Sequence, residues 1–199
     1  EPTHQPARPE NLDVEGLHKG IYLFDRGAEK TNRVSLLASG VGMQQALRAQ
    51  EILQERYDVG AAVYSVTSWV ELARDGAALA KQQLLHPGED VGEPFATTAL
   101  KQTEGPYVAT SDFTTALQEQ IRPYVPGQYI VLGADGFGFS DTREAARRYF
   151  NIDAESMVVA ALMGLANEGK IEMPVAAQAA KDLHISDPTE PNPNGDADE

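Results

Sequence analysis

Leu132-Gly-Ala-Asp-Gly-Phe-Gly-Phe-Ser-Asp-Thr-Arg143 joins an apolar run to a helical pattern through a glycine-rich turn, and its reading decides the fold. Upstream, Tyr129-Ile-Val-Leu132 has four apolar residues, two of them β-branched, the pattern of a buried strand. Downstream, Asp141 is expected to cap the first free amides of a helix, with Glu144 at capping-box spacing. Between them, Asp135, Gly136, Phe137, Gly138 and Phe139 predict a tight turn that presents at least one phenyl ring beyond the carboxyl edge of a sheet. In open α/β sheets that edge is where ligands and partners sit.

Working outward, apolar runs alternate with helical patterns, the signature of a βαβ protein. Strands are expected at Gly20–Phe24, Arg33–Ala38, Ala61–Val66, Tyr107–Thr110 and Tyr129–Leu132. The short charged connection Asp25–Asn32 favours an antiparallel hairpin between the first two, because a parallel crossover needs a dozen residues or more. A helix should run from Ser39-Gly40 to about Arg56, with Met43, Ala46, Leu47, Ala49 and Leu53 along its apolar side. Another should pass through Glu71 and Leu72 to about Leu85, stopped by Pro87 and Gly88, and a third should span Asp112–Arg122. Gly88–Glu104 shows no clear period. The last third reads as helices over Thr142–Phe150, Ala154–Glu168 and Val175–Leu183, with Asp153 capping the second. The stripe Met157, Val158, Ala161, Leu162 and Leu165 is either core packing or a subunit interface.

With 199 residues, of which 42% are hydrophobic, the chain is expected to form one domain, and no apolar run approaches membrane-spanning length. A net charge of -14 repels phosphate backbones and anionic lipid, which argues against nucleic-acid and membrane partners. The absence of cysteine excludes disulfides, thiolate metal sites and a cysteine nucleophile, and favours a cytoplasmic location. The opening without methionine, polar and proline-containing, reads as a linker over residues 1–18 that followed another domain. Residues 186–199, acidic and proline-rich without Lys or Arg, read as a disordered solvating tail, with partner binding as the alternative.

Candidate chemistry is sparse. Gly40-Val-Gly42 superficially resembles a dinucleotide turn, but Gln45 stands where the third glycine belongs and no strand-end acid follows. His4, His18, His86 and His184 share no metal-ligand spacing. His86 lies in the last turn of a helix, where the dipole favours its charged form, and can be structural or functional. Ser65, Thr67 and Ser68 have no activating base nearby. Asp135 is either a site acid or a carboxylate bonded to its own turn amides. Arg143, Arg147 and Arg148 form a basic cluster, with Glu144 to Arg148 at helical ion-pair spacing.

Several longer strings carry a family resemblance. Val63-Tyr-Ser-Val-Thr-Ser-Trp-Val-Glu-Leu-Ala-Arg-Asp-Gly76, Leu85-His-Pro87, Tyr124-Val-Pro126 and the Leu132–Glu144 segment resemble the C-terminal domain of the homodimeric bacterial pyruvate dehydrogenases. The likeness continues through Phe150-Asn-Ile-Asp-Ala154, Val159-Ala-Ala161 and Gly169-Lys-Ile171, so it covers about Lys19 to Ile185. It implies a three-layer α/β/α domain, transketolase C-terminal-like, around a mixed, mostly parallel five-stranded sheet with one antiparallel strand. The family's enzymes decarboxylate pyruvate and reductively acetylate the lipoyl group of a dihydrolipoamide acetyltransferase component. The resemblance also implies that thiamine diphosphate and Mg2+ belong to upstream domains, so this chain should hold no catalytic, cofactor-binding or metal residue. Its expected role is dimer packing and the outer wall of a substrate entrance, with Asp135, Gly136, Phe137, Phe139 and His86 as candidate interface residues. An alternative is a docking module for the acetyltransferase component or its lipoyl domain. A third reading, a free-standing member of the same fold with its own small ligand, rests on the sheet-edge position.

Overall fold

Continuous apolar runs, buried on both faces of the sheet, produce the layered architecture of the computed structural model, which describes residues 6–138 and 140–185. The elements in order are α1 (Val14–Lys19), β1 (Ile21–Asp25), β2 (Asn32–Ala38), α2 (Gly42–Tyr57), β3 (Val59–Val66), α3 (Trp69–Leu85), α4 (Phe95–Leu100), β4 (Tyr107–Ser111), α5 (Thr115–Glu119), β5 (Tyr129–Gly133), α6 (Arg143–Tyr149), α7 (Ala154–Asn167) and α8 (Met173–Asp182). The strands form one five-stranded sheet in the order β1-β3-β2-β4-β5. β3, β2, β4 and β5 run parallel, and β1 lies antiparallel to β3 at one edge. The three-layer mixed sheet expected from the sequence is therefore present.

Each strand sends successive side chains to opposite faces. Val34, Leu36, Ala61, Val63 and Val108 pack with α2, α7 and α8, whereas Leu37, Ala62, Tyr64, Tyr107 and Ala109 pack with α3, α4 and Ile121. The α7 stripe Met157, Val158, Ala161, Leu162 and Leu165 is wholly buried in the first of these cores. Asp153 caps α7 by accepting from the Ser156 amide at 2.9 Å, as its position before an apolar run suggested.

The expected β1–β2 hairpin is not formed. The two strands do run in opposite directions, but β3 lies between them, so the connection over residues 26–31 passes across the start of β3. A Cβ at Gly60 would stand 2.3 Å from the Ala28 carbonyl oxygen, a spacing that any larger residue would break. The buried Arg33 guanidinium fastens this crossing by donating to the Ala28 and Arg26 carbonyls, each at 2.8 Å. A six-residue connection reaches far enough to step over one strand.

Three helices also depart from expectation. α1 occupies part of the stretch expected to be linker, capped by Asp13, whose carboxylate accepts from the Gly16 amide at 2.9 Å. α4 arises inside the aperiodic Gly88–Glu104 segment and buries Ala96, Ala99 and Leu100. The helix expected over Asp112–Arg122 shortens to α5 and a single 3-10 turn at Arg122–Tyr124, because Pro123 lacks the amide needed to continue. Residues 1–5, 139 and 186–199, which include His4, Phe139 and the acidic tail, lie outside the described residues. No helix among the described residues is long and apolar enough to cross a membrane.

Candidate functional site

At the carboxyl edge of the sheet the connections leaving β4 and β5 are fastened together. Ala134 N donates to Phe113 O at 2.9 Å, and Asp135 accepts from Thr115 N at 3.0 Å and from Thr115 Oγ1 at 2.6 Å. Asp135 therefore bonds the start of α5 across the edge, not the amides of its own turn as the local reading supposed. The approach is so close that a Cβ at Gly133 would lie 2.7 Å from Thr115 N. Beneath the edge, the fully buried Gln118 donates to Ser111 Oγ at 2.8 Å and to Leu132 O at 3.2 Å, fixing the last residues of both strands.

Beyond this edge the chain turns through Gly136 at φ 118°, a conformation that excludes most side chains, and reaches α6. Asp141 accepts from the neighbouring Thr142 amide, and Thr142 is the cap of α6, accepting from Ala145 N at 3.2 Å. The helix start is thus one residue later than the Asp141–Glu144 spacing suggested. α6 buries none of its residues fully. Arg148 does not pair with Glu144 as the helical spacing implied; it reaches Asp153 at 2.7 Å and Glu155 at 3.3 Å on α7, and donates to Leu183 O at 3.0 Å. Glu155 also pairs with Arg48 on α2.

Between α6 and the sheet edge lies a cleft of about 530 Å³, lined among the described residues by Val41, Asp112, Ala134, Gly136, Gly138, Arg143, Ala146, Arg147, Phe150 and Ile152. Its walls are mostly apolar, with Asp112 on one side and two guanidinium groups on the other. Among the described residues no histidine, serine or threonine lines it. Nor does any group of three His, Asp or Glu side chains suited to a metal ion occur among the described residues.

Of the residues singled out in the sequence, Gly136 lines the cleft, Asp135 braces its floor and Phe137 points into solvent at 97% exposure. Phe139 lies outside the described residues. His86 is not brought near them: it caps the far end of α3, partly exposed, 3.7 Å from Glu89. Val41, Asp112, Phe150 and Ile152 were not anticipated. Val41 was hidden in the Gly40–Gly42 turn, and the others come from separate connections that only folding brings together.

This frame has known counterparts. Residues 20–153 match the family described as Transketolase-like TK C-terminal domain. The chain belongs to this transketolase-like C-terminal domain family. Solved transketolases from Pichia stipitis and Leishmania mexicana share its fold, at TM-scores of 0.54 and 0.51 and 18% identity each. They overlap 83% and 79% of this chain, which spans 21% and 20% of theirs. Among curated relatives, proteins named pyruvate dehydrogenase E1 component are much more similar in sequence. The one from Corynebacterium glutamicum is 67% identical over 189 residues, that from Mycobacterium tuberculosis 53% over 188 and that from Escherichia coli K12 43% over 183. These alignments cover 95%, 94% and 92% of this chain, which spans about a fifth of the length of each. In this transketolase-like domain the matched stretch ends at the cap of α7, yet α7 and α8 complete the same apolar core.

Proposed function

We propose that residues 19–185 are the C-terminal domain of a thiamine-diphosphate-dependent pyruvate dehydrogenase, supplying dimer packing and the outer wall of a substrate entrance. The observation that carries this reading is 67% identity across 95% of the chain to a pyruvate dehydrogenase E1 component, of which the chain spans a fifth. The whole enzyme would decarboxylate pyruvate and reductively acetylate a lipoyl group of the dihydrolipoamide acetyltransferase component, in the cytoplasm. Thiamine diphosphate with Mg2+ would supply the carbanion chemistry of that reaction.

The described residues do not fit that cofactor. Asp112 is the one acid in the cleft among the described residues, and a Mg2+-diphosphate site needs convergent oxygen ligands. The contribution of this domain is therefore shape, through the braced sheet edge and the α6 cleft. Titration calorimetry of the 199-residue chain with thiamine diphosphate and Mg2+ should give no heat of binding. A micromolar affinity would overturn the proposal.

A second reading, a docking site for the acetyltransferase component or its lipoyl domain, is favoured by one observation. Phe137 is almost wholly exposed in a chain of net charge -14, and exposed aromatic residues are common anchors of interfaces. Size-exclusion chromatography with that component should then show co-elution that weakens in Phe137→Ala. Separate elution of the wild-type chain would reject docking.

A further inference from the structure

The connectivity of the sheet places a crevice at one point. β2 passes its chain to α2 on one face, and its neighbour β4 passes its chain to α5 on the other. Connections that leave adjacent strands toward opposite faces part at the carboxyl edge, and open α/β sheets take their ligands in that gap. The 530 Å³ cleft occupies it, with Val41 following β2 and Asp112 following β4 as its two lips. That volume lies within the range of small-molecule sites.

The lining shows which chemistry fits. Arg147, half-buried in the last turn of α6, borders this cleft and the neighbouring one of about 460 Å³. Arg148, one residue on, is committed to Asp153 and Glu155, whereas the Arg147 side chain makes no hydrogen bond or ion pair among the described residues. Taking a guanidinium partly out of water without a counter-charge is unfavourable, and its planar fork matches a carboxylate. Arg143, one turn earlier on the same helix face, adds a second positive charge to the cleft. Val41, Ala134, Phe150 and Ile152 offer apolar contact. Asp112 on the opposite lip repels a dianion more than a monoanion.

We propose that this crevice binds a small carboxylate with an apolar body, its carboxylate paired with Arg147. The proposal rests on the fold and the lining residues, independently of the pyruvate dehydrogenase reading.

Amide chemical-shift titration of the full chain with 4-phenylbutyrate tests it, with 4-phenylbutylamine as a probe of the same body and opposite charge. The carboxylate should shift the amides of Ala134, Gly136, Ala146 and Ile152 saturably, and the amine should not. Arg147→Met should weaken carboxylate binding about tenfold or more, the worth of a charge-assisted hydrogen bond. Arg147→Lys, which keeps the charge but loses the fork, should bind at an intermediate level and serves if the methionine variant fails to fold. Asp112→Asn should leave binding equal or tighter. Equal binding of acid and amine, shifts confined to other surfaces, or unchanged affinity in both Arg147 variants would overturn the proposal.

Discussion

Asp135 holds the start of α5 through two bonds to Thr115, at 3.0 and 2.6 Å, a partner twenty residues away in sequence. Asp135→Ala should lower stability by about 0.5–1 kcal/mol, read from the urea midpoint, because water only partly replaces these exposed bonds. The sequence marked Asp135 as important but suggested the wrong partner, because a local turn is the only bonding visible from neighbouring residues. Tyr64, Tyr107 and Tyr129 show the reverse: burial is ordinary for them, but its consequence is chemical. Their hydroxyls donate to Ala99 O, Leu100 O and Gln118 O, and desolvation raises all three phenols above the usual 10.0, with Tyr107 pushed up to about 12. A raised folded-state value means that the stabilisation is complete below pH 10 and is lost as pH rises through about 12. Following phenolate absorbance and circular dichroism together, these tyrosines should ionise only as the fold is lost. Tyr129→Phe should remove one such late-titrating group.

At the scale of elements, α6 is tethered more by charge than by apolar burial. Arg148→Met should leave Asp153 with only its amide partner Ser156 and Glu155 with only Arg48 among the described residues, and cost roughly 1–2 kcal/mol, discounted because Arg148 itself is one-third exposed. A double-mutant cycle with Asp153→Asn would isolate the coupling. In α7 a Cβ at Gly164 would stand 2.7 Å from the Pro106 ring. Overpacking of roughly 1–3 kcal/mol then exceeds the helix gain of about 1 kcal/mol, so Gly164→Ala should lower the melting temperature. Long amphipathic elements such as α2 and α7 were legible because several turns repeat one pattern. α4 was not: it has six residues, and its first amide donates to Asp75 Oδ2 at 2.7 Å from a helix twenty residues away. α1 was missed for the same shortness, although its Asp13 cap was in plain view.

For the whole molecule, topology is the property that local pattern leaves undetermined. The short β1–β2 connection implied that the two strands run in opposite directions, but β3 lies inserted between them, with Arg33 clamping the crossing. Gly60→Ala should push that connection off the start of β3 and destabilise the entire sheet, visible as a lower cooperative denaturation midpoint. Sequence alone determined the five strands, the long helices, the acidic character and, through rare strings such as Leu132–Glu144, the family, because period and composition are carried by neighbouring residues. Tertiary structure alone decided the strand order, the partner of Asp135 and the meeting of Val41, Asp112, Arg147 and Ile152 around one cleft. These residues lie far apart in the chain, and only closure of the sheet and packing of α6 and α7 against it bring them together.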